Sequence, residues 1–167
     1  KNVGNGRIIL FVGRLDEIKG LNYLIHAFRH IADKYADIRL VVAGDGDFQL
    51  YLSQCRDLQG RVSFLGKVSS SEVEDVYRSA YIGVMPSFHE QCSYTAIEMM
   101  RHKIPLIGTD TTGLAEMLDA TPELRVSIDE DNMMDEEFTE RLVSCLNLLL
   151  SDEDAYQRAA DAVGKLY

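Results

Sequence analysis

The sequence predicts an α/β fold in which helices are wound on both sides of a mainly parallel sheet of six strands. Short apolar runs alternate along the chain with longer segments of helical periodicity. Several of these runs are continuous stretches of Ile, Leu and Val, which is typical of strands buried on both faces of a parallel sheet. No repeat, low-complexity tract or Pro-rich linker interrupts this pattern over the 167 residues. One domain with right-handed βαβ crossovers is therefore expected.

Six apolar runs have the length and composition of strands. Their predicted ranges are 7–12, 38–43, 62–65, 81–86, 104–108 and 124–127. After the first run, apolar side chains recur at three- and four-residue spacing over residues 21–35, which predicts an amphipathic helix. Ser69 with Glu72, or Ser71 with Glu74, offers the capping box of a helix after the third run. Two closing helices are predicted at residues 138–150 and 155–166.

The charge of the chain limits its partners. The formal charge of −10 argues against a nucleic-acid partner, because phosphates would be repelled. Residues 129–140 carry seven acids and no base, whereas residues 1–128 hold 16 acids and 14 bases. The main body is therefore nearly neutral, and its basic residues remain available to bind an anion. The acidic run is interpreted as a solvated connection and helix start.

The cysteines and the apolar runs indicate a cellular setting. Cys55, Cys92 and Cys145 are far apart and odd in number, and they lack metal-type spacing, so a cytoplasmic localisation is expected. No apolar run approaches the ~20 residues that a membrane-spanning helix needs. The start of the chain fits a strand better than a signal peptide.

In a doubly wound sheet, ligands bind at the carboxyl ends of the strands, and four unusual clusters follow predicted strands. After the first strand, Arg14 and Lys19 lie between Gly13 and Gly20. Two cations near a helix start can clamp a diphosphate, Arg14 through its planar fork and Lys19 as a point charge. Spacing alone leaves this interpretation and a solvated surface turn equally open.

The next two clusters are weaker signals. Residues 43–48 resemble part of a dinucleotide fingerprint, but Gln49 stands where the third glycine belongs, so a tight turn is the better interpretation. After the third strand, Gly66 permits a close backbone approach, while Leu65 and Val68 offer apolar surface for a flat ring. The same pattern describes an ordinary turn at a strand end.

The fourth cluster joins two glutamates to a helix start. A helix that begins near Cys92 or Ser93 would present free N–H groups to an anion. Glu90 would lie just outside this end and Glu98 two turns in. Positions eight apart lie within about 80° of each other around a helix, so both carboxylates can face one elongated, hydroxyl-rich ligand. A solvated helix glutamate and a loop carboxylate are the alternatives.

Five motifs together resemble one known family. In chain order they are VGRLDEIKG, VVAGDG, VSFLGKV, VMPSFHEQCSYTAIEMM and IPLIGTDTTGLAEML. They are similar to the C-terminal, donor-binding domain of GT-B glycosyltransferases of group 1 (GT4-like), over roughly residues 7–120. The resemblance implies one Rossmann-like half of a GT-B fold, and it identifies Glu90 and Glu98 as the E-x7-E motif.

The resemblance also implies a role for each site residue. Glu90 would bind hydroxyls of the transferred sugar, Glu98 the ribose hydroxyls, and Arg14 with Lys19 the diphosphate, so that Arg14, Lys19 and Glu90 would be catalytic. The other donor-binding residues implied are Gly13, Gly66, Lys67, Val68, Gln91, Cys92, Ser93 and Tyr94. Residues 91–94 would cradle the phosphates, and residues 66–68 would form the base pocket. No metal site and no cofactor are implied beyond the nucleotide-diphosphate sugar, which is the donor substrate.

The function that the resemblance implies is sugar transfer with retention by a hexosyltransferase type of enzyme. Residues 1–167 would be the C-terminal nucleotide-sugar-binding domain. The N-terminal acceptor domain is expected to be absent from this chain, which is then expected to be inactive alone. That missing half would be the main partner, and any peripheral membrane contact is expected only through it.

Two positions depart from the pattern of the family. Cys92-Ser93 stands where Phe-Gly is usual, and Thr112-Gly113 replaces a glycine pair ahead of Glu116. Two alternatives therefore stay open. One is a GT-B-fold sugar-nucleotide epimerase, and the other is a non-catalytic domain that has lost donor binding.

Overall fold

The computed structural model describes residues 6–90, 93–128 and 135–165. The strands are β1 (Arg7–Val12), β2 (Ile38–Ala43), β3 (Val62–Gly66), β4 (Ala80–Met85), β5 (Leu106–Thr109) and β6 (Arg125–Val126). The helices are α1 (Leu21–Ala32), α2 (Phe48–Ser53), α3 (Ser70–Ser79), α4 (Tyr94–Arg101), α5 (Thr112–Ala115), α6 (Asp135–Ser151) and α7 (Glu153–Gly164). None of the helices in these ranges is long and apolar enough to cross a membrane.

The six strands form one sheet in the order β3-β2-β1-β4-β5-β6. Each neighbouring pair is parallel. The prediction of a mainly parallel six-stranded sheet is confirmed. Since β1 lies in the middle and the chain moves outward first through β2 and β3 and then through β4 to β6, the order reverses beside β1. Ligands of doubly wound sheets bind at such a reversal.

Helices cover both faces of the sheet, as the strand composition predicts. Successive side chains of β1 point to opposite faces. Ile9 and Phe11 belong to a core with α1 and α6, whereas Ile8 and Leu10 belong to a core with α4 and part of α3. This explains why β1 is continuously apolar from Ile8 to Val12 and does not alternate.

The strand predictions are accurate in the centre of the sheet and less so at its β6 side. β1 and β2 have the predicted bounds, while β5 begins two residues late, at Leu106. The Ile104 N–H donates to Met99 O at 3.1 Å, which extends the helix end beyond Lys103. Leu124, predicted to begin β6, belongs to the short 3-10 helix Pro122–Leu124.

The helix predictions are also close. Of the two possible capping boxes, the structure forms Ser69 with Glu72. α6 begins at Asp135, three residues before the predicted start. The first half of the acidic run that was interpreted as a connection and helix start, residues 129–134, lies outside the described residues.

Candidate functional site

The loops after β1, β2, β3 and β4 meet at one edge of the sheet. Because the strands are parallel, their carboxyl ends lie on the same side. Hydrogen bonds join the loops directly: Gly13 N–H donates to Ala43 O at 3.0 Å, and Gly44 N–H donates to Gly66 O at 2.8 Å. Further along this edge, Phe88 N–H donates to Ile18 O at 2.8 Å. The described parts of segments 13–20, 65–68 and 88–94 are thus brought together, as the sequence predicts.

Lys19 and Glu90 form an ion pair across this edge. Lys19 ends the 3-10 helix Glu17–Lys19, whose cap is Asp16, with Lys19 N–H donating to Asp16 Oδ1 at 3.0 Å. The Nζ atom of Lys19 lies 2.9 Å from Glu90 Oε2, and the two side chains are 26% and 10% exposed. Residues 71 positions apart, predicted to bind neighbouring parts of one ligand, therefore touch each other.

Arg14 lies on the same loop in a different environment. Its side chain is 83% exposed, and its Nε atom lies 3.8 Å from Asp16 Oδ2. At that distance and exposure the pair contributes little to stability. The guanidinium is therefore at the edge and open to solvent, where an anion can reach it.

The turn after β3 leaves open space beside the backbone. Gly66 has φ 69°, a conformation that favours glycine, and among the described residues other than its two chain neighbours no atom lies within 4 Å of where its Cβ would be. Leu65 and Lys67 are exposed and Val68 is half-buried. This shelf leads into α3, because Ser69 is the N-cap of that helix.

The start of α4 is fixed by Ser93. Its Oγ atom accepts from Ala96 N–H at 3.0 Å and lies 3.4 Å from Met85 Sδ, and the side chain is buried. The helix therefore begins at Tyr94, within the predicted range, and the Tyr94 side chain is exposed. Gln91 and Cys92, which were predicted to help cradle the phosphates, lie outside the described residues.

Glu98 sits closer to the helix start than expected. It is the fifth residue of α4, so it lies about one turn in and not two. The estimate of two turns was wrong because it counted from Glu90, and Ser93 caps the helix three residues later. Glu98 therefore lies in the middle of α4, an eight-residue helix that starts at the edge of the sheet.

Tyr77 of α3 is a neighbour of Glu98 that sequence reasoning missed. Its hydroxyl donates to Glu98 Oε2 at 2.7 Å, and its side chain is 1% exposed. Burial first, and the Glu98 hydrogen bond second, raise the pKa of Tyr77 well above its ordinary value. The phenol therefore stays protonated at neutral pH. Within the sequence, Tyr77 was only one more large side chain on an amphipathic helix.

The arrangement offers cations, carboxylates and a helix start, but no metal site is evident. Within residues 6–90, 93–128 and 135–165, no group of three or more His, Cys, Asp or Glu side chains is placed to hold a metal ion. The exposed Arg14 guanidinium and the start of α4 are suited to an anion, and the carboxylates of Glu90 and Glu98 can accept hydrogen bonds from hydroxyl groups.

The sequence of this chain is similar to those of known glycosyltransferases. A family model described as "Glycosyl transferases group 1" matches residues 6–148. A glycosyltransferase of Methanocaldococcus jannaschii is 37% identical over 115 residues, which are 67% of this chain and 29% of that relative. The alpha-D-kanosaminyltransferase of Streptomyces kanamyceticus is 26% identical over 174 residues, which are 96% of this chain and 45% of the transferase.

A solved structure shows the same fold. It is the C-terminal domain of a glycosyl transferase group 1 family protein, LpcC, from Francisella tularensis. The TM-score is 0.79 at 23% sequence identity, and the match covers 98% of this chain and 84% of that domain. The chain spans less than half the length of the two curated relatives that it matches, 29% of one and 45% of the other.

Proposed function

The chain belongs to the group 1 glycosyltransferases, and from this premise we propose that it is the donor-binding half of a retaining enzyme. That enzyme would transfer a sugar from a nucleotide diphosphate to an acceptor. The observation that carries the proposal is that the two glutamates, eight positions apart, are held by different elements of the fold. Glu90 pairs with Lys19 on the loop after β1, whereas Glu98 is bonded to Tyr77 on the helix after β3.

The diphosphate is proposed to lie over the start of α4. The first N–H groups of a helix carry partial positive charge and are free to donate, and Ser93 holds this end in place. Arg14 and Lys19 would supply two positive charges from the loop after β1. When the bond from the anomeric carbon to the diphosphate breaks, the diphosphate takes the electron pair. The two cations then stabilise the departing charge.

The nucleoside and the sugar are proposed to extend from the diphosphate in opposite directions. The open shelf of residues 66–68 offers room for the base, and Glu98 would accept hydrogen bonds from the ribose. Glu90, beside Lys19 and next to the phosphates, would accept hydrogen bonds from hydroxyls of the sugar. This order agrees with the order of base, ribose, diphosphate and sugar in a nucleotide sugar.

A second domain is proposed to complete the enzyme. The relatives are longer than the stretch that this chain matches. We infer that an acceptor-binding domain faces the carboxyl edge of the sheet and that this chain alone binds donor without transferring sugar. The relative from Streptomyces kanamyceticus is a transferase, which supports sugar transfer over epimerisation as the proposed reaction. Cys55 and Cys145 are free, buried thiols, which is compatible with the cytoplasmic localisation proposed from the cysteine spacing.

The two glutamates give the direct test of this proposal. Glu98→Gln should weaken binding of a nucleoside diphosphate and of the nucleotide sugar alike, because both ligands carry the ribose. Glu90→Gln should spare the nucleoside diphosphate and weaken only the nucleotide sugar. Each loss should be about 1–2 kcal/mol, the scale of charged hydrogen bonds. Titration calorimetry of both variants with both ligands measures these affinities.

The control removes a carboxylate at the opposite edge. Glu123 is exposed and lies just before β6, at the amino end of that strand. Glu123→Gln should leave both affinities unchanged. An equal loss of both ligands in Glu90→Gln would overturn the sugar assignment. Unchanged binding in both site variants would overturn the donor site itself.

A further inference from the structure

The carboxylate of Glu98 is held from one side by a buried phenol. Tyr77 Oη lies 2.7 Å from Glu98 Oε2, while Glu98 Oε1 has no hydrogen-bond partner within the described residues. A carboxylate can accept through both oxygens. One oxygen is thus occupied by the protein, and the other is left for a ligand.

The hydroxyl of Tyr77 is not needed for packing. The ring belongs to a core with Ala96, Met99 and Met100 of α4, and a phenylalanine ring would fill the same volume. Placing a hydroxyl at a position that is 1% exposed is costly unless the hydroxyl is hydrogen-bonded. Its bond to Glu98 offsets that cost. The main structural effect of the hydroxyl is therefore to hold the Glu98 carboxylate.

A second polar contact joins α3 and α4 near the hydrogen bond between Tyr77 and Glu98. One turn from the first contact, His102 Nε2 lies 2.9 Å from Glu74 Oε2. The His102 ring also packs against the Tyr77 ring, with centroids 5.3 Å apart. α3 and α4 are thus joined by two polar contacts and the apolar core, so the position of the phenol relative to Glu98 is set by helix packing.

We propose that Tyr77 is a positioning residue of the donor site, whose hydroxyl fixes the Glu98 carboxylate so that Oε1 accepts from the ribose. The inference rests on the proposed function, since it requires that Glu98 bind ribose. It also gives α3 a role. This helix begins directly after the shelf of residues 66–68 and carries Tyr77 in its last turn, so α3 would connect the segment proposed for the base with the residue that orients the ribose carboxylate.

The test compares ribose with a sugar that lacks the hydroxyls. Affinities are measured for UDP, GDP and ADP, and the tightest binder is then compared with its 2′,3′-dideoxy counterpart. The ribose ratio, which is the affinity for the nucleoside diphosphate divided by that for its dideoxy counterpart, measures the contribution of the ribose hydroxyls to binding. Tyr77→Phe should lower this ratio about three- to tenfold, because it removes the charge-assisted hydrogen bond that holds the Glu98 carboxylate in position for the ribose. It should leave dideoxynucleotide affinity unchanged.

The matched control removes a phenol hydroxyl elsewhere. Tyr156 of α7 donates to the backbone Tyr81 O at 2.9 Å, so Tyr156→Phe deletes a phenol hydrogen bond that does not involve a carboxylate. Its ribose ratio should equal that of the unaltered chain. Both ligands are measured on one preparation of each variant, so a partly unfolded sample changes both affinities equally and leaves the ratio intact.

Three outcomes distinguish failure of the positioning role of Tyr77 from failure of the proposed donor site. If Glu98→Gln does not change the ribose ratio, or no nucleotide binds, the proposed ribose site is wrong and the inference fails with it. If Glu98→Gln lowers the ratio and Tyr77→Phe does not, only the positioning role is overturned. The variant carrying both changes should match Glu98→Gln alone. A further loss would show that Tyr77 acts without Glu98.

Discussion

Gly20→Ala should lower the free energy of unfolding by about 3 kcal/mol, because the added methyl group meets both a left-handed backbone and a close backbone neighbour. Gly20 has φ 74° and lies where the 3-10 helix Glu17–Lys19 passes into α1. A Cβ there would stand 2.1 Å from Pro86 O, a backbone atom that cannot rotate away. The backbones of the β1 and β4 loops would have to separate.

Gly60→Ala is the matched control for this variant. Gly60 has a similar φ of 79°, but apart from its two chain neighbours no described residue has an atom within 4 Å of the position that its Cβ would occupy. The left-handed conformation alone should therefore cost about 1 kcal/mol. Urea denaturation of both variants gives the two free energies. Equal losses would mean that the contact with Pro86 is not what requires glycine at position 20.

The same variant links the fold to the proposed site. The close approach at Gly20 lies between Lys19 and the loop that carries Glu90, and Phe88 N–H donates to Ile18 O nearby. Separating these loops would break the geometry of the ion pair. Nucleoside diphosphate affinity should fall in the fraction of Gly20→Ala that stays folded, and it should not fall in Gly60→Ala.

The architecture could be predicted from the sequence because its signals are local. The apolar runs at residues 8–12 and 40–43 indicate burial on both faces without knowledge of the neighbouring strands, and the strands that contain them, β1 and β2, have the predicted bounds. The shorter β6 was overestimated, because Leu124 is as buried in its 3-10 turn as it would be in a strand. Hydrophobic pattern reports burial, and it does not distinguish a short turn from a strand end.

The contacts within the site could not be predicted, since they join residues far apart in sequence. Lys19 and Glu90 are 71 positions apart, and Tyr77 and Glu98 are 21 positions apart. Spacing indicated that each group follows a strand, but it held no information on which side chains face each other across two loops or two helices. The choice between Ser69 and Ser71 as the helix cap was open for a related reason. Both have a glutamate three residues later, and only tertiary packing decides.

Lys19→Ala should weaken nucleoside diphosphate binding by about 1.5–3 kcal/mol, or roughly ten- to 150-fold. The same range is expected for Arg14→Ala. Arg78→Ala is the control for the change in net charge, because Arg78 is an exposed cation that pairs with Asp75 near the end of α3. Its effect on binding should be small and should vanish in salt. Titration calorimetry at two salt concentrations measures all three.

Lys19 requires one further comparison, because it also neutralises Glu90. The Glu90 side chain is 10% exposed, so Lys19→Ala leaves a poorly solvated carboxylate near the phosphates. This carboxylate would repel the ligand even if Lys19 never touched it. The decisive pair is therefore Glu90→Gln against Glu90→Gln with Lys19→Ala, in which that charge is absent from both. If Lys19 binds the diphosphate, the double variant should remain at least about tenfold weaker than Glu90→Gln alone. Equal affinities would show that Lys19 serves only to balance Glu90, and the diphosphate clamp would then rest on Arg14 and the start of α4.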